Sequence, residues 1–391
     1  MVFHGFSQYR EVRNDIKIRT IPHEDELLTS WIARCALSYG LTPYNLLKFG
    51  FDSPKLSILD YDRHISEAYL ENLSRYSTLD KQSIKQKTII QFANKIIDVS
   101  GNQPQYLYKD ILAKSTNNRA SMTYCPECLK SKKYFSIYWR LVLQVGCLEH
   151  DILHRDTCPH CNAPIRLELL NAFLKDVSYC YACWRSLYTS KTQRLPDEIK
   201  PILKMQKEGV ASGWVVFPGN NGMMAPVFFQ GIWKLINIFY SKRKGIDYFN
   251  ESCGFFGIPS TNHITFNPHW SRFSIEPIMV KVHCLKLISM MLKDWPKGFI
   301  AYCHKVGVTK AVLNPHNDHL PDWLHLVAIN EIFSLPYWVS DEEVISALEY
   351  MLDNQIGITK MGLARLLGKD ESMKLNQRRK QLFERYKRKQ L

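Results

Sequence analysis

The chain has 391 residues, of which 46% are hydrophobic and 23% charged, with a formal net charge of +14. That length suits two or three domains, and the apolar content belongs to a globular protein rather than a disordered one. No apolar run approaches the ~18 residues needed to cross a membrane, and so basic a chain is a candidate partner of nucleic acid, whose phosphates supply most nonspecific affinity.

The opening residues, MVFHGFSQYREVRND, lack the apolar core of a secretory signal, which predicts an N-terminal extension over 1–20 and a reducing, cytoplasmic, nucleoid-associated setting. IPHEDELLTSWIARCALSYGLTPYNLLKFGF then begins a helical region expected over 21–120. Leu27, Leu28, Trp31, Ile32 and Cys35 fall on one helical face after an acidic first turn at Glu24–Glu26. Gly40 stops that helix, Thr42 is placed to cap the next, and Pro43 sits at its first position. Helix, glycine turn and helix give the outline of a helix-turn-helix. The His23–Glu26 cluster is read as a charged helix start rather than a metal or acid–base site. More helices, broken by polar loops, are expected from about 62 to 115.

A double metal knuckle is expected over 121–190. Cys125, Cys128, Cys147 and His150 are followed by Cys158, Cys161, Cys180 and Cys183, with 18 residues between the pairs in each set and the second set 33 residues after the first. Two close pairs about 15–20 residues apart can close a tetrahedron around one ion, and Zn²⁺ prefers such a shell of thiolate and imidazole. The pattern therefore predicts two structural Zn²⁺ ions rather than disulfides or a redox pair, with sequential and interleaved ligation both open. Counting seven thiolates and two dications lowers the net charge from +14 to +11. Zinc binding is worth on the order of 10–16 kcal/mol in small peptides, enough to hold a loop-rich module with little core of its own. Tyr134, Tyr138, Leu141 and Val145 have helical spacing and predict a short helix, with Trp139 or Tyr138 packed on the knuckles. His154 and His160 fall outside the spacing and read as spare surface or knuckle residues. Cys35, Cys253, Cys284 and Cys303 read as buried thiols. Cys303, His304, His316, His319 and His325 match no metal template.

A mixed, mostly helical region is expected over 191–335. SKTQRLPDEIKP reads as a polar linker, the stretch 213–260 gives no clear local signal, and EPIMVKVHCLKLISMMLKDWPKGF reads as an amphipathic helix stopping at Trp295-Pro296. Over 336–391 a basic helix-turn-helix-like domain is expected. Ser340 and Glu343 form a capping box ahead of Val344, Leu348 and Met351; Gly357, Thr359, Gly368 and Ser372 mark turns and caps for two further helices. Residues 369–391 carry nine Lys/Arg against three Asp/Glu. Arg365, Lys369, Lys374, Asn376, Gln377, Arg378, Arg379 and Lys380 are the candidate DNA-contacting residues. The whole is thus mainly α, with a zinc-stabilised, loop-rich central module and helix-turn-helix-like units near both ends. No P-loop, nucleophile elbow or acidic triad points to an enzyme.

Taken together, IPHEDELLTSWIARCALSYG, with the order Pro-x-x-x-Glu-x-Leu-x-Ser-Trp, and YCPECL, YWRL and GCLEHDILHRDTCPHC resemble the TniQ/TnsD family of bacterial transposition proteins over roughly residues 20–190, with KDWPKGF a further short likeness. The resemblance implies a non-catalytic selector of insertion sites that recruits the AAA+ regulator TnsC and, through it, the transposase. It also implies two ways of finding the target. TnsD-like members bind attachment-site DNA directly, whereas TniQ members of CRISPR-associated transposons sit, often as dimers, on an RNA-guided Cascade complex. The basic C-terminal helices favour the first.

Overall fold

A computed structural model describes residues 20–50, 61–62, 65–92, 95, 122–188, 191–216, 222–243, 246–259, 273, 276–315, 319–333, 340–367 and 377–390, with backbone alone at 49–50, 242–243 and 377–378. The chain divides into two compact units, Met1–Ile332 and Phe333–Leu391. The described elements are mostly α-helices, with three two-stranded antiparallel ribbons. No described helix is long and apolar enough to cross a membrane.

Helix α1, Leu28–Ser38, buries Leu28, Trp31, Ile32 and Cys35, the face its spacing predicts. Gly40 takes a left-handed φ of 64° and its N–H closes on the Leu37 carbonyl at 3.0 Å, ending the helix. The Thr42 side chain accepts from Asn45 N at 3.1 Å and Pro43 opens α2, Pro43–Asn45, which then widens into a π turn, Leu46–Gly50. With α3, Glu67–Tyr76, and α4, Lys81–Lys85, these elements enclose a core of Trp31, Leu46, Tyr69, Leu73 and Ile84.

Glu24–Glu26 lie before α1 rather than in its first turn, and Glu26 is only 1% exposed. Its carboxylate accepts from Arg34 Nε and Nη2, both at 2.8 Å, from Ser30 Oγ at 2.9 Å and from His23 N at 3.1 Å. A buried carboxylate needs such partners, so the residue is an internal anchor and not a solvent-facing dipole complement. Ser30 Oγ accepts in turn from Phe135 N at 2.9 Å, while Leu27 N reaches Phe135 O and Ile137 N reaches Asp25 O. These bonds explain why the expected helix over Tyr134–Val145 does not form. The backbone around Phe135–Ile137 is committed to residues 25–30, leaving one 3₁₀ turn, Ile137–Arg140. Arg140, 2% exposed, lies 3.6 Å from the Asp62 carboxylate, which also accepts from Thr29 N and Thr29 Oγ1. The Glu-x-Leu-x-Ser-Trp and Trp-Arg stretches, over a hundred residues apart, are thus two sides of one interface.

Helix α5, Pro126–Lys132, and the ribbon β1–β2, Gly146–Cys147 with Ile152–Leu153, belong to the knuckles. The following SKTQRLPDEIKP is no free linker: Leu153 N donates to Gln193 O at 2.8 Å, Leu195 N donates to Asp151 O at 2.9 Å, and Leu195 is fully buried. Leu195 packs so tightly on β1 that a Cβ at Gly146 would lie 2.2 Å from its Cδ1. Helix α6, Lys200–Ser212, continues from this strap to the ribbon β3–β4, Trp214–Val215 with Met223–Met224. Helix α7, Ala225–Tyr240, buries thirteen of its sixteen residues. The ribbon β5–β6, Lys242–Arg243 with Ile246–Asp247, precedes α8, Tyr248–Phe256. Helix α9, Ile278–Lys293, ends just before Trp295-Pro296 as its sequence predicts, and all its buried residues but Val282 lie on one broad face, opposite Met279, His283, Lys286, Met290 and Lys293. Helices α10, Lys297–Val306, α11, Lys310–Leu313, and α12, Asp322–Val327, complete this unit.

The second unit contains α13, Asp341–Asp353, α14, Lys360–Leu366, and α15, Gln377–Gln390. Ser340 and Glu343 form the expected reciprocal capping box, and Thr359 caps α14. Val344, Leu348, Met351, Ile358, Leu363, Phe383 and Tyr386 make the core. The turn at Gly368 and the expected cap Ser372 lie outside the described residues.

Candidate metal centres and basic helix

Each knuckle is a tight turn whose backbone aims two donors inward. Cys125 caps α5, its sulfur accepting from Cys128 N at 3.4 Å, with Pro126 at the first helical position. His160 N and Ala182 N make the same 3.4 Å bond to Cys158 Sγ and Cys180 Sγ. Asp151, Asn162 and Trp184 follow the last ligand of their turns and all take left-handed φ, 54°, 57° and 60°. Asp and Asn tolerate that conformation; Trp rarely adopts it, so the turn at Cys183 is held against a local steric cost.

The eight donors assemble in sequence order, Cys125, Cys128, Cys147 and His150 in one group and Cys158, Cys161, Cys180 and Cys183 in the other, with the ligand atoms of each within 4.8 Å of one another. The grouping fits sequential rather than interleaved ligation. A zinc tetrahedron with Zn–S of about 2.3 Å and Zn–N of about 2.0 Å has S···S edges of about 3.8 Å and S···N edges of about 3.5 Å. The observed S···S separations are 3.7 Å for Cys128–Cys147, 3.6 Å for Cys158–Cys183 and 3.7 Å for Cys161–Cys180. His150 Nδ1 lies 3.7, 3.3 and 3.4 Å from the sulfurs of Cys125, Cys128 and Cys147. All are far beyond a disulfide bond length. The residues fit a tetrahedral dication.

Without a cation the thiols of a cluster do not ionise together: hydrogen bonds from Cys125 and Cys128 hold Cys147 well down, while its neighbours are pushed up. The Cys125 and Cys147 thiols, and then burial, push Cys128 far up; burial, with the Cys183 and Cys161 thiols adding to it, pushes Cys158 up to about 12. A bound dication reverses that balance by stabilising the thiolates. Each group already supplies four protein donors, which leaves no position for a catalytic water.

The two centres differ in cover. Cys125, Cys128 and Cys147 are buried, whereas Cys161 is exposed and Cys183 half-buried. His154 is not the spare residue its position suggests. It is buried, with Nδ1 3.1 Å from both Thr123 Oγ1 and Gln144 O, its ring against Trp139, and burial lowering its pKa. His160 is exposed. Cys35, Cys253, Cys284 and Cys303 are buried thiols, as expected. Among the described residues Cys303, His304, His319 and His325 join no metal-binding group, and His316 lies outside them.

The candidate DNA residues do not form one set. Arg365 is exposed on α14, and Lys380 is exposed on α15. Lys369, Lys374 and Asn376 lie outside the described residues, and Gln377 and Arg378 are described in backbone only. Arg379 is tied into the unit itself, its Nε 2.8 Å from Asp341 Oδ1. The exposed Arg385, Lys387, Arg388 and Lys389 were not singled out from sequence, although their charge run was legible.

A model of the TniQ family matches residues 17–153. Over that stretch the chain is similar to the TniQ family. That match begins a few residues before Ile21, spans α1–α5 and includes all four ligands of the first centre; it ends before Cys158, a narrower reach than the resemblance over 20–190. The match points to a transposition-associated protein. No curated protein matches the chain.

Proposed function

We propose that the chain is a non-catalytic target-site selector of a bacterial transposon. In this reading the C-terminal unit binds attachment-site DNA, and the TniQ-like region, braced by two structural Zn²⁺ ions, recruits a TnsC-like AAA+ regulator and through it the transposase. The observation that carries the reading is the pairing of a TniQ-like region with a separate compact unit whose last helix is strongly basic and packed on its own core. Seven thiolates and one imidazole in two closed tetrahedra favour Zn²⁺, which the first centre would take through Cys125, Cys128, Cys147 and His150 and the second through its four cysteines. The TniQ match also supports an adaptor that links a CRISPR Cascade complex to TnsC, as a homodimer.

One binding experiment separates the two. Purified metal-loaded protein is mixed with a genomic fragment library at near-physiological salt, and the recovered fragments are sequenced. Enrichment of one short sequence is the expected result. Recovery of only a salt-sensitive background would overturn direct reading in favour of the adaptor.

A further inference from the structure

Helix α15 is held to the rest of its unit along one stripe. Arg379 pairs with Asp341 at 2.8 Å, Phe383 and Tyr386 are buried in the core, and Tyr386 Oη donates to Glu349 Oε1 at 2.9 Å. At the far end Gln390 makes two backbone bonds, accepting from Ile358 N and donating to Ile356 O, each at 2.7 Å. Positions 379, 383, 386 and 390 recur at intervals of four, three and four, one face of a helix of period 3.6. The opposite side carries Gln381, Glu384, Arg385 and Arg388, all exposed, so its cations outnumber its one acid.

We propose that this outer stripe is the phosphate-contacting face of the C-terminal unit, with Arg385 and Arg388 as the contacting cations and Arg379 as a positioning residue. The inference rests on the DNA-binding reading above and assigns that contact to particular residues.

Three observations carry it. The basic C-terminus is not a loose solvated tail, because Gln390, the last described residue, is bonded at both its amide atoms; the helix that carries the cations is therefore in place before any ligand arrives, which reduces the ordering cost of binding. The charge of the unit is also one-sided. Helix α13 carries Asp341, Glu342, Glu343, Glu349 and Asp353 and no Lys or Arg, whereas α15 carries seven Lys/Arg and one acid, Glu384. Two of the α13 acids, Asp341 and Glu349, are turned to α15 itself, so the acidic helix backs the basic one and a polyanion is drawn to the α15 side rather than to α13. Finally, the two outward cations are both arginines. Their guanidinium groups make bidentate bonds to phosphate oxygens, and their spacing of three places them on neighbouring turns of one face. Lys387 and Lys389 flank the stripe, the latter with its ammonium 4.7 Å from the Tyr386 ring centre.

The test compares full-length metal-loaded wild type with Arg385→Gln plus Arg388→Gln and, separately, Arg379→Gln, measuring DNA affinity against salt concentration. Each lost phosphate contact removes about 0.9 from the slope of log affinity against log salt, so the double variant is expected to lose about 1.8 and to bind about 10- to 100-fold more weakly at 0.1 M salt. Arg385→Lys plus Arg388→Lys should restore most of the slope. Arg379→Gln should instead lower the unfolding temperature and leave the slope as it was. A double variant that folds and keeps the wild-type slope overturns the assignment while leaving DNA binding intact. Wild type without salt-dependent DNA binding overturns the DNA reading and this inference together. Retained DNA affinity with loss of a co-purifying protein would mean that the stripe serves an acidic protein instead, and would equally overturn it.

Discussion

Lys281 on α9 is 2% exposed, and burial holds its ammonium down to about 7 despite the opposing pull of Asp156 and Glu276. An unfolded lysine titrates near 10.4. Between roughly pH 7 and 10 the unfolded chain therefore binds a proton that the folded chain does not, so folding stability rises with pH across that window; below 7 both states are protonated and the full cost of burying the charge is present. The slope contributed by this one group is at most about 1.4 kcal/mol per pH unit. Lys281→Met should remove it. Urea unfolding of both proteins at pH 7, 8 and 9 should show wild type gaining on the variant as pH rises, and parallel curves would contradict the assignment. Residues of this kind are invisible in sequence. The two clusters of four Cys/His donors were legible because their spacing is itself the chemistry, but nothing in the order of residues says that Glu26 or Lys281 is buried, or that Arg379 points at Asp341 rather than outward.

Helix α7 shows the corresponding limit for whole elements. Gly231 lies where α7 meets Trp323 of α12, and a Cβ there would stand 2.0 Å from Trp323 Cζ2. The indole has little room to yield, since it stacks on Phe228 with ring centres 5.8 Å apart and meets Trp295 at 4.9 Å. Gly231→Ala, which would ordinarily favour a helix, should therefore destabilise by about 1–3 kcal/mol, the range of an overpacked core. A variant as stable as wild type in denaturant unfolding would show that the contact relaxes freely. That same burial is why the helix was not evident in sequence. APVFFQGIWKLINIFY is mostly apolar, its polar residues confined to the thin line Gln230, Lys234 and Asn237, and its aromatic and β-branched residues read equally well as buried strand. The capping box at Ser340 and the face of α1 were evident because both patterns are local. The failures at Tyr134–Val145 and at SKTQRLPDEIKP share another cause: partners distant in sequence take up their backbone hydrogen bonds.

At the scale of the whole molecule, the two compact units depend on different things. The C-terminal unit has its own apolar core and no metal-binding group among its described residues, whereas the larger unit contains both cysteine clusters. Within the larger unit the clusters are not equivalent. The first is buried and bound on several sides: its ribbon is strapped by Gln193 and Leu195, and the segment between its ligands pairs with the start of α1. The second offers a chelator or alkylating agent the exposed Cys161. Stepwise chelation should thus remove one metal equivalent first, with maleimide labelling at Cys161 and Cys183 ahead of Cys125, Cys128 and Cys147. Loss of the second equivalent removes the larger stabilisation, because the first centre anchors the 134–140 segment that α1 is bonded to; zinc sites of this kind contribute on the order of 10 kcal/mol. Hydrogen exchange followed through the titration should then show protection collapsing along α1 and the knuckles while α13 and α15 keep theirs. Simultaneous labelling of both clusters would contradict the ordering, and equal loss of protection in α13 and α15 would contradict the independence of the C-terminal unit.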